Sequence, residues 1–192
     1  MNIAGIDYSY TSPAICVYDT RNEFCFKNLK FFNFFADSRK TKLHGIFGEH
    51  YNVQILNHPE YTTQEERFRN ICSWASGVLA AQMVSEACIE GYSMGATSGL
   101  VFNIAENTSL LKQYMSVKGI KFDTPTPSQV KKNFTGKGNS KKDAMVAEFY
   151  KRFPEGKLHE LLGIKEMAKP IDDIVDSCAV LLCHSHFTKE AK

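Results

Sequence analysis

The sequence contains no apolar run near the roughly 18 residues that a membrane-crossing helix requires, so no membrane partner is expected. No basic leader followed by an apolar stretch opens the chain, and no secretion signal is expected. There is no C-x-x-C pair among the six cysteines (positions 16, 25, 72, 88, 178 and 183). Most of them sit inside apolar segments, the pattern of reduced core residues in a cytosolic compartment. Gly136-Lys137-Gly138 falls short of a full phosphate-binding loop, so no nucleotide cofactor is expected. Internal repeats and low-complexity tails are missing too, as is any linker long enough to divide the chain. A strong charge of either sign is also lacking: 23 Lys and Arg against 21 Asp and Glu give a formal net charge of +2.

What remains is a 192-residue chain of ordinary globular composition, 43% hydrophobic and 23% charged, sized for one domain spanning 1–192. Its charge is unevenly distributed. Lys131, Lys132, Lys137, Lys141, Lys142, Lys151, Arg152 and Lys157 face only Asp143, Glu148 and Glu155 within the same stretch. Such a local positive excess suits a polyanion, although a solvated lysine-rich surface would look the same.

Residues 2–7, 14–19 and an aromatic-rich run ending near 29–35 read as an antiparallel meander that starts a sheet. Residues 37–60 have weak periodicity and read as an irregular insertion, with one short strand near 53–56. A helix is expected over 62–84, capped by Thr62 or Thr63, with Phe68, Ile71, Cys72, Ala75, Val78 and Leu79 on one face. A strand over 85–90, a small-residue loop over 91–99 and a helix over 100–117 follow. A strand at 120–122 precedes helices at 127–134 and 140–153, and Pro170 sits at the start of a last helix. Antiparallel strands followed by alternating helices and strands indicate an α/β fold with helices on both faces.

Four carboxylates stand out. Asp7 ends the apolar run Ile3-Ala4-Gly5-Ile6, and Glu90 repeats the arrangement after Ala87-Cys88-Ile89. Asp173 and Asp176 lie three apart at the start of an apolar segment and would share a helix face, as would Asp172 and Asp176, four apart. Spacing alone does not choose between Asp172 and Asp173. First-turn acids also favour the helix dipole with no further role. The rest of that helix is apolar nearly all round, however, so its acids would face a crevice and not open water. Acids at the ends of buried elements are costly unless positive charge sits among them, and a pair of divalent ions acting on a phosphodiester would supply it. Cys183-His184-Ser185-His186 invites a zinc reading but has no second ligand pair, and reads as core cysteine with exposed histidines. The aromatics Phe31, Phe32, Phe34 and Phe35 read as core or a partly covered edge.

Taken together, these fragments resemble the RuvC-type Holliday junction resolvases of the RNase H-like superfamily, most closely the bacteriophage-encoded branch. The resemblance runs through Ile3-Ala4-Gly5-Ile6-Asp7-Tyr8-Ser9, Thr11-Ser12-Pro13-Ala14 and Ile89-Glu90-Gly91-Tyr92. It continues through Thr126-Pro127-Ser128-Gln129-Val130-Lys131-Lys132 and Gly136-Lys137-Gly138-Asn139-Ser140-Lys141-Lys142, and closes with Asp172-Asp173-Ile174-Val175-Asp176. It implies an RNase H-like mixed five-stranded sheet whose first three strands are antiparallel. Asp7, Glu90, Asp173 and Asp176 would be the catalytic, metal-binding acids, holding two Mg²⁺ per site with Mn²⁺ as a substitute. Lys131 and Lys142 would contact the DNA backbone, with Lys132, Lys137, Lys141 and Tyr92 nearby. The expected activity is endonucleolytic resolution of branched DNA by a cytoplasmic homodimer joined near the helix 100–117. The alternative is a branched-DNA-binding protein that does not cut. Three departures are visible: Tyr8-Ser9-Tyr10 replaces a Pro-Gly-type turn, Tyr92 lies one residue before the position, Ser93, where relatives place a stacking aromatic, and the insertion at 37–60 is extra.

Overall fold

Residues 2–7 form the centre of the sheet because their apolar run has no polar side to show to water. The computed structural model describes residues 1–35, 43–92 and 100–188. Strand β1 (Asn2–Asp7) pairs antiparallel with β2 (Ala14–Asp19), which pairs antiparallel with β3 (Leu29–Phe35). On its other side β1 pairs in parallel with β6 (Val84–Ile89), and β6 in parallel with β7 (Lys121–Asp123).

These five strands match the expected sheet, but the sheet has seven. The extra two come from residues 37–60: one is the short strand expected near 53–56, the other lies where no strand was expected. Strand β5 (Val53–Asn57) runs parallel to β3, and β4 (Gly45–Phe47) pairs antiparallel with β5, giving the order β4-β5-β3-β2-β1-β6-β7. The reason is non-local: β3 carries aromatics on both faces and presents a free edge, which β5 satisfies with backbone hydrogen bonds. Residues 37–42 of the expected insertion and 93–99 of the expected small-residue loop lie outside the described residues.

The side chains alternate between two cores, as strand geometry requires. Ile3, Cys16, Tyr18, Phe31 and Phe35 face one layer, made by α3 (Pro127–Thr135), α4 (Lys142–Arg152), α5 (Leu158–Leu162) and α6 (Ile171–Leu181). Ala4, Ile6, Ile15, Val17 and Phe34 face the other, covered by α1 (Gln64–Ala81) and α2 (Leu100–Val117). A short α7 (Ser185–Thr188) follows α6.

Capping explains the helix starts. Thr63 accepts from the Glu66 backbone N–H while the Glu66 carboxylate accepts from that of Thr63, a reciprocal box that fixes the first turn of α1. Thr126 and Gln129 repeat it on α3, with Pro127 in the first turn where its missing N–H costs nothing. Gly136 ends α3 at φ +82°, a left-handed conformation that glycine adopts without strain.

One close approach dictates a residue. Helix α6 lies directly across β1, so a Cβ on Gly5 would stand 2.1 Å from the Leu181 backbone nitrogen and 2.3 Å from the Ser177 carbonyl oxygen. Only glycine permits this contact, and it sets the height of α6 above the sheet.

Candidate active site

Asp7 and Glu90 come together through the sheet. Ile6 and Ile89 are partners in the parallel β1–β6 pairing, and the Glu90 backbone N–H donates to the Ile6 carbonyl at 3.0 Å. The two acids therefore leave the carboxyl ends of adjacent parallel strands, the edge where open α/β sheets place their ligands. A cleft of about 230 Å³ opens beside them, with Tyr8, Tyr92, Val101 and Ile104 among its walls. Gly91 N–H donates to the Pro125 carbonyl at 2.8 Å, tying the strand end to the turn that leads into α3.

The other acids arrive from α6. Asp172 and Asp173 occupy its first turn and are buried, while Asp176, one turn on, is the residue of this helix that is not fully buried. They do not line the cleft, but their charges act on it. Burial, then the charges of Asp176, Asp173 and Glu90, push the Asp7 carboxyl well above the usual carboxylate range, with Lys169 opposing. Burial, then Glu90, Asp173 and Asp172, push Asp176 up to about 7, with Lys142 opposing. Glu90 is raised by burial against the pull of Lys131, and Asp173 by burial against the pull of Lys169. Asp172 behaves differently. Burial would raise it, but Lys142 and Lys169 outweigh burial and hold it below the usual range.

The structure thus couples Asp7, Glu90, Asp173 and Asp176 in one region whose negative charge Lys169 and Lys131 only partly offset, with Asp172 beside it bonded to both Lys142 and Lys169. Among the described residues, no three His, Cys, Asp or Glu side chains converge tightly enough to enclose an ion. The donor set is nonetheless all oxygen, and Asp173 Oδ2 is buried with no hydrogen-bond partner. Hard divalent cations such as Mg²⁺ and Mn²⁺ fit these residues; soft metals that prefer thiolate do not.

The lysines fall into two groups. Lys131 on α3 acts on Glu90, and Lys142 at the start of α4 is bonded to Asp172, so both stand at the rim of the acid cluster. Lys132, Lys137 and Lys141 are exposed on α3 and on the turn before α4. Tyr92 is exposed at the cleft mouth, where Lys112 Nζ stands 5.1 Å from its ring centre. Ser93 lies outside the described residues.

Sequence reading missed several supporting residues. The Arg67 guanidinium stacks 3.6 Å above the Tyr10 ring and donates to the Tyr10 carbonyl at 2.8 Å, fixing the Tyr8-Ser9-Tyr10 turn to α1. Asn33 Nδ2 donates to Ser12 Oγ at 3.1 Å and to the Pro13 carbonyl at 3.2 Å, bracing the far end of that turn. Neither pairing carries a sequence signal, because each joins residues distant along the chain. The expected exposed histidines also need correcting. His184 is buried, its Nε2 3.2 Å from Glu86 Oε2, with Nδ1 accepting from the His186 N–H. Its apolar surroundings and the Glu86 contact draw it inward.

The model of the family described as "Crossover junction endodeoxyribonuclease RuvC" matches residues 49–184. Among solved structures, the chain is similar to Thermus thermophilus RuvC, with 19% identity, a TM-score of 0.61, and coverage of 100% of this chain and 97% of that one. T. thermophilus RuvC in complex with a Holliday junction substrate gives 15% identity and a TM-score of 0.65, covering 100% and 96%. The fowlpox virus resolvase, in complex with its substrate Holliday junction DNA, gives 13% identity and a TM-score of 0.52, covering 100% of both chains. At these identities the likeness is one of fold. Comparison with curated protein sequences gives no match.

Proposed function

Since the chain belongs to the RuvC family of crossover junction endodeoxyribonucleases, we propose that it is a metal-dependent endonuclease that binds four-way DNA junctions and resolves them. The observation that carries this reading is the convergence of acids: Asp7 and Glu90 at the ends of adjacent parallel strands, electrostatically joined to Asp173 and Asp176 on α6. Those four acids would hold Mg²⁺, or Mn²⁺ in its place, two ions per site. Bound there, the metal supplies a hydroxide nucleophile at neutral pH and stabilises the leaving oxygen.

The chain's own residues do the rest. Lys131 and Lys142 meet the phosphodiester at the rim of the acid cluster, while Lys132, Lys137 and Lys141 hold phosphates further along the duplex arms. Tyr92, at the cleft mouth, offers a ring face to an unstacked base. Helix α2 leaves Phe102, Leu110 and Val117 exposed, and a second copy packed along it would give the homodimer that paired nicking requires. The whole chain acts as one nuclease domain of the bacteriophage-encoded branch, working in the cytoplasm. No described helix is long and apolar enough to cross a membrane.

The test is cleavage of an end-labelled four-way junction in Mg²⁺ by Asp7→Asn and Asp176→Asn. Each should lose at least about 100-fold in rate, since several kcal/mol of transition-state stabilisation go with the metal. Junction binding should persist, because the lysines carry it. Near wild-type cutting by either variant refutes the acid assignment, and a wild-type protein that binds but never cuts points to a silent binder.

A further inference from the structure

The acid cluster already holds a cation that belongs to the chain. Lys169, four residues before Asp173, bonds Asp173 Oδ1 through Nζ and stands 3.2 Å from Asp172 Oδ2. Lys142 reaches that same Asp172 oxygen from α4. Each acid keeps its second oxygen, Asp172 Oδ1 and Asp173 Oδ2, buried and without a hydrogen-bond partner. One ammonium is thus shared between two neighbouring carboxylates with different surroundings: Asp173 acts on Asp7, whereas Asp172 is also bonded to Lys142.

We propose that Lys169 is a tethered counter-cation, holding Asp173 while no divalent ion is bound and withdrawing to Asp172 when an ion takes Asp173. The inference rests on the metal-dependent reading above. Buried neighbouring acids without a positive partner would destabilise the empty site, and Lys169 relieves part of that cost. A lysine suits the task because its ammonium is a compact point charge on a flexible stem. Its side chain is 40% exposed, so it can swing without repacking the core. Asp172, with one oxygen unoccupied, can receive it. This gives Asp172 a role as a positioning residue: it takes Lys169 away from a ligand and is not itself a ligand.

The experiment titrates Mn²⁺ into DNA-free protein by calorimetry, with thermal melts in EDTA alongside. Lys169→Met, which keeps the aliphatic stem, should bind Mn²⁺ about tenfold more tightly, because a competing like charge has gone. It should also melt lower in EDTA, with Asp173 left without a cation and Asp172 held by Lys142 alone. Lys169→Gln, a polar variant, should show the same tightening, so that a folding defect in one variant does not decide the matter. Asp172→Asn should weaken Mn²⁺ binding about tenfold in the wild-type background, yet change it less than about twofold in Lys169→Met. Equal weakening in both backgrounds would mean that Asp172 acts only as an added negative charge, which overturns the transfer. A Lys169→Met protein that binds Mn²⁺ no more tightly than wild type also overturns it. If the wild-type protein bound no Mn²⁺ at all, the metal-dependent reading itself would fall and this inference with it.

Discussion

Replacing Asp176 with asparagine should stabilise the metal-free protein at alkaline pH, although the residue is proposed to be essential for cutting. Burial and the neighbouring acids Glu90, Asp173 and Asp172 raise this carboxyl from 3.8 to about 7. Between those pH values the folded state keeps a proton that the unfolded state has released. Stability therefore falls as pH rises through the window, and the loss is complete above about 7. The span corresponds to about 4 kcal/mol, with the proton shared across the coupled acids. Asparagine removes the charge but must satisfy its own amide, which returns about 1–3 kcal/mol. A net gain of about 2 kcal/mol in EDTA at pH 8 is expected, or about 4–8 °C in melting temperature for a chain of this size. At pH 5, where the wild-type carboxyl is mostly protonated, the difference should shrink. With Mn²⁺ present the order should reverse, because only the wild type gains from the ion. Urea or thermal unfolding at the two pH values, with and without Mn²⁺, measures all of this. An Asp176→Asn protein no more stable than wild type in EDTA at pH 8 would show that the acids do not repel one another at a net cost.

Gly5→Ala should be among the most damaging single-methyl additions in the molecule. Its Cβ would meet the α6 backbone at 2.1 Å, and backbone cannot step aside as a side chain can. A loss of about 3 kcal/mol or more in urea unfolding is expected, at or beyond the upper end for overpacking; a loss below about 1 kcal/mol would contradict the described seat of α6. Lys137→Ala, at an exposed position on the turn between α3 and α4, should leave the cleavage rate at saturating enzyme unchanged. It should lower the slope of log affinity against log salt by about 0.9, as the loss of one phosphate contact requires; an unchanged slope would remove Lys137 from the DNA interface.

The centre of the sheet was legible because Ile3 to Ile6 must be covered on both faces, and Glu90 was legible because it repeats the strand-end pattern of Asp7. The strand at 45–47, and the joining of β5 to this sheet, were not. Gly45–Phe47 is too short to show a period, and the place of both β4 and β5 depends on the free edge of β3. The choice between Asp172 and Asp173 could not be made from spacing, since both share a face with Asp176. Their surroundings differ: Lys169 contacts both, but Lys142 reaches Asp172 from 30 residues away, a contact no local pattern announces. Lys169 did carry a signal, a lysine placed three and four residues before two acids, the spacing of helical ion pairs. The buried His184 shows the opposite case, because its partner Glu86 lies on a distant strand.

The seating of α6 on Gly5 has a consequence for how the protein comes into being. Residues 5, 177 and 181 touch although nearly the whole chain separates them, and contacts of such long range form late. On the proposed mechanism, a partly made chain that still lacks residues 171–181 already carries the lysines that grip DNA but only half of its acids. Such a chain lacks the acids that cutting needs. On that mechanism, cutting waits until the last acid-bearing helix has been made and seated on Gly5.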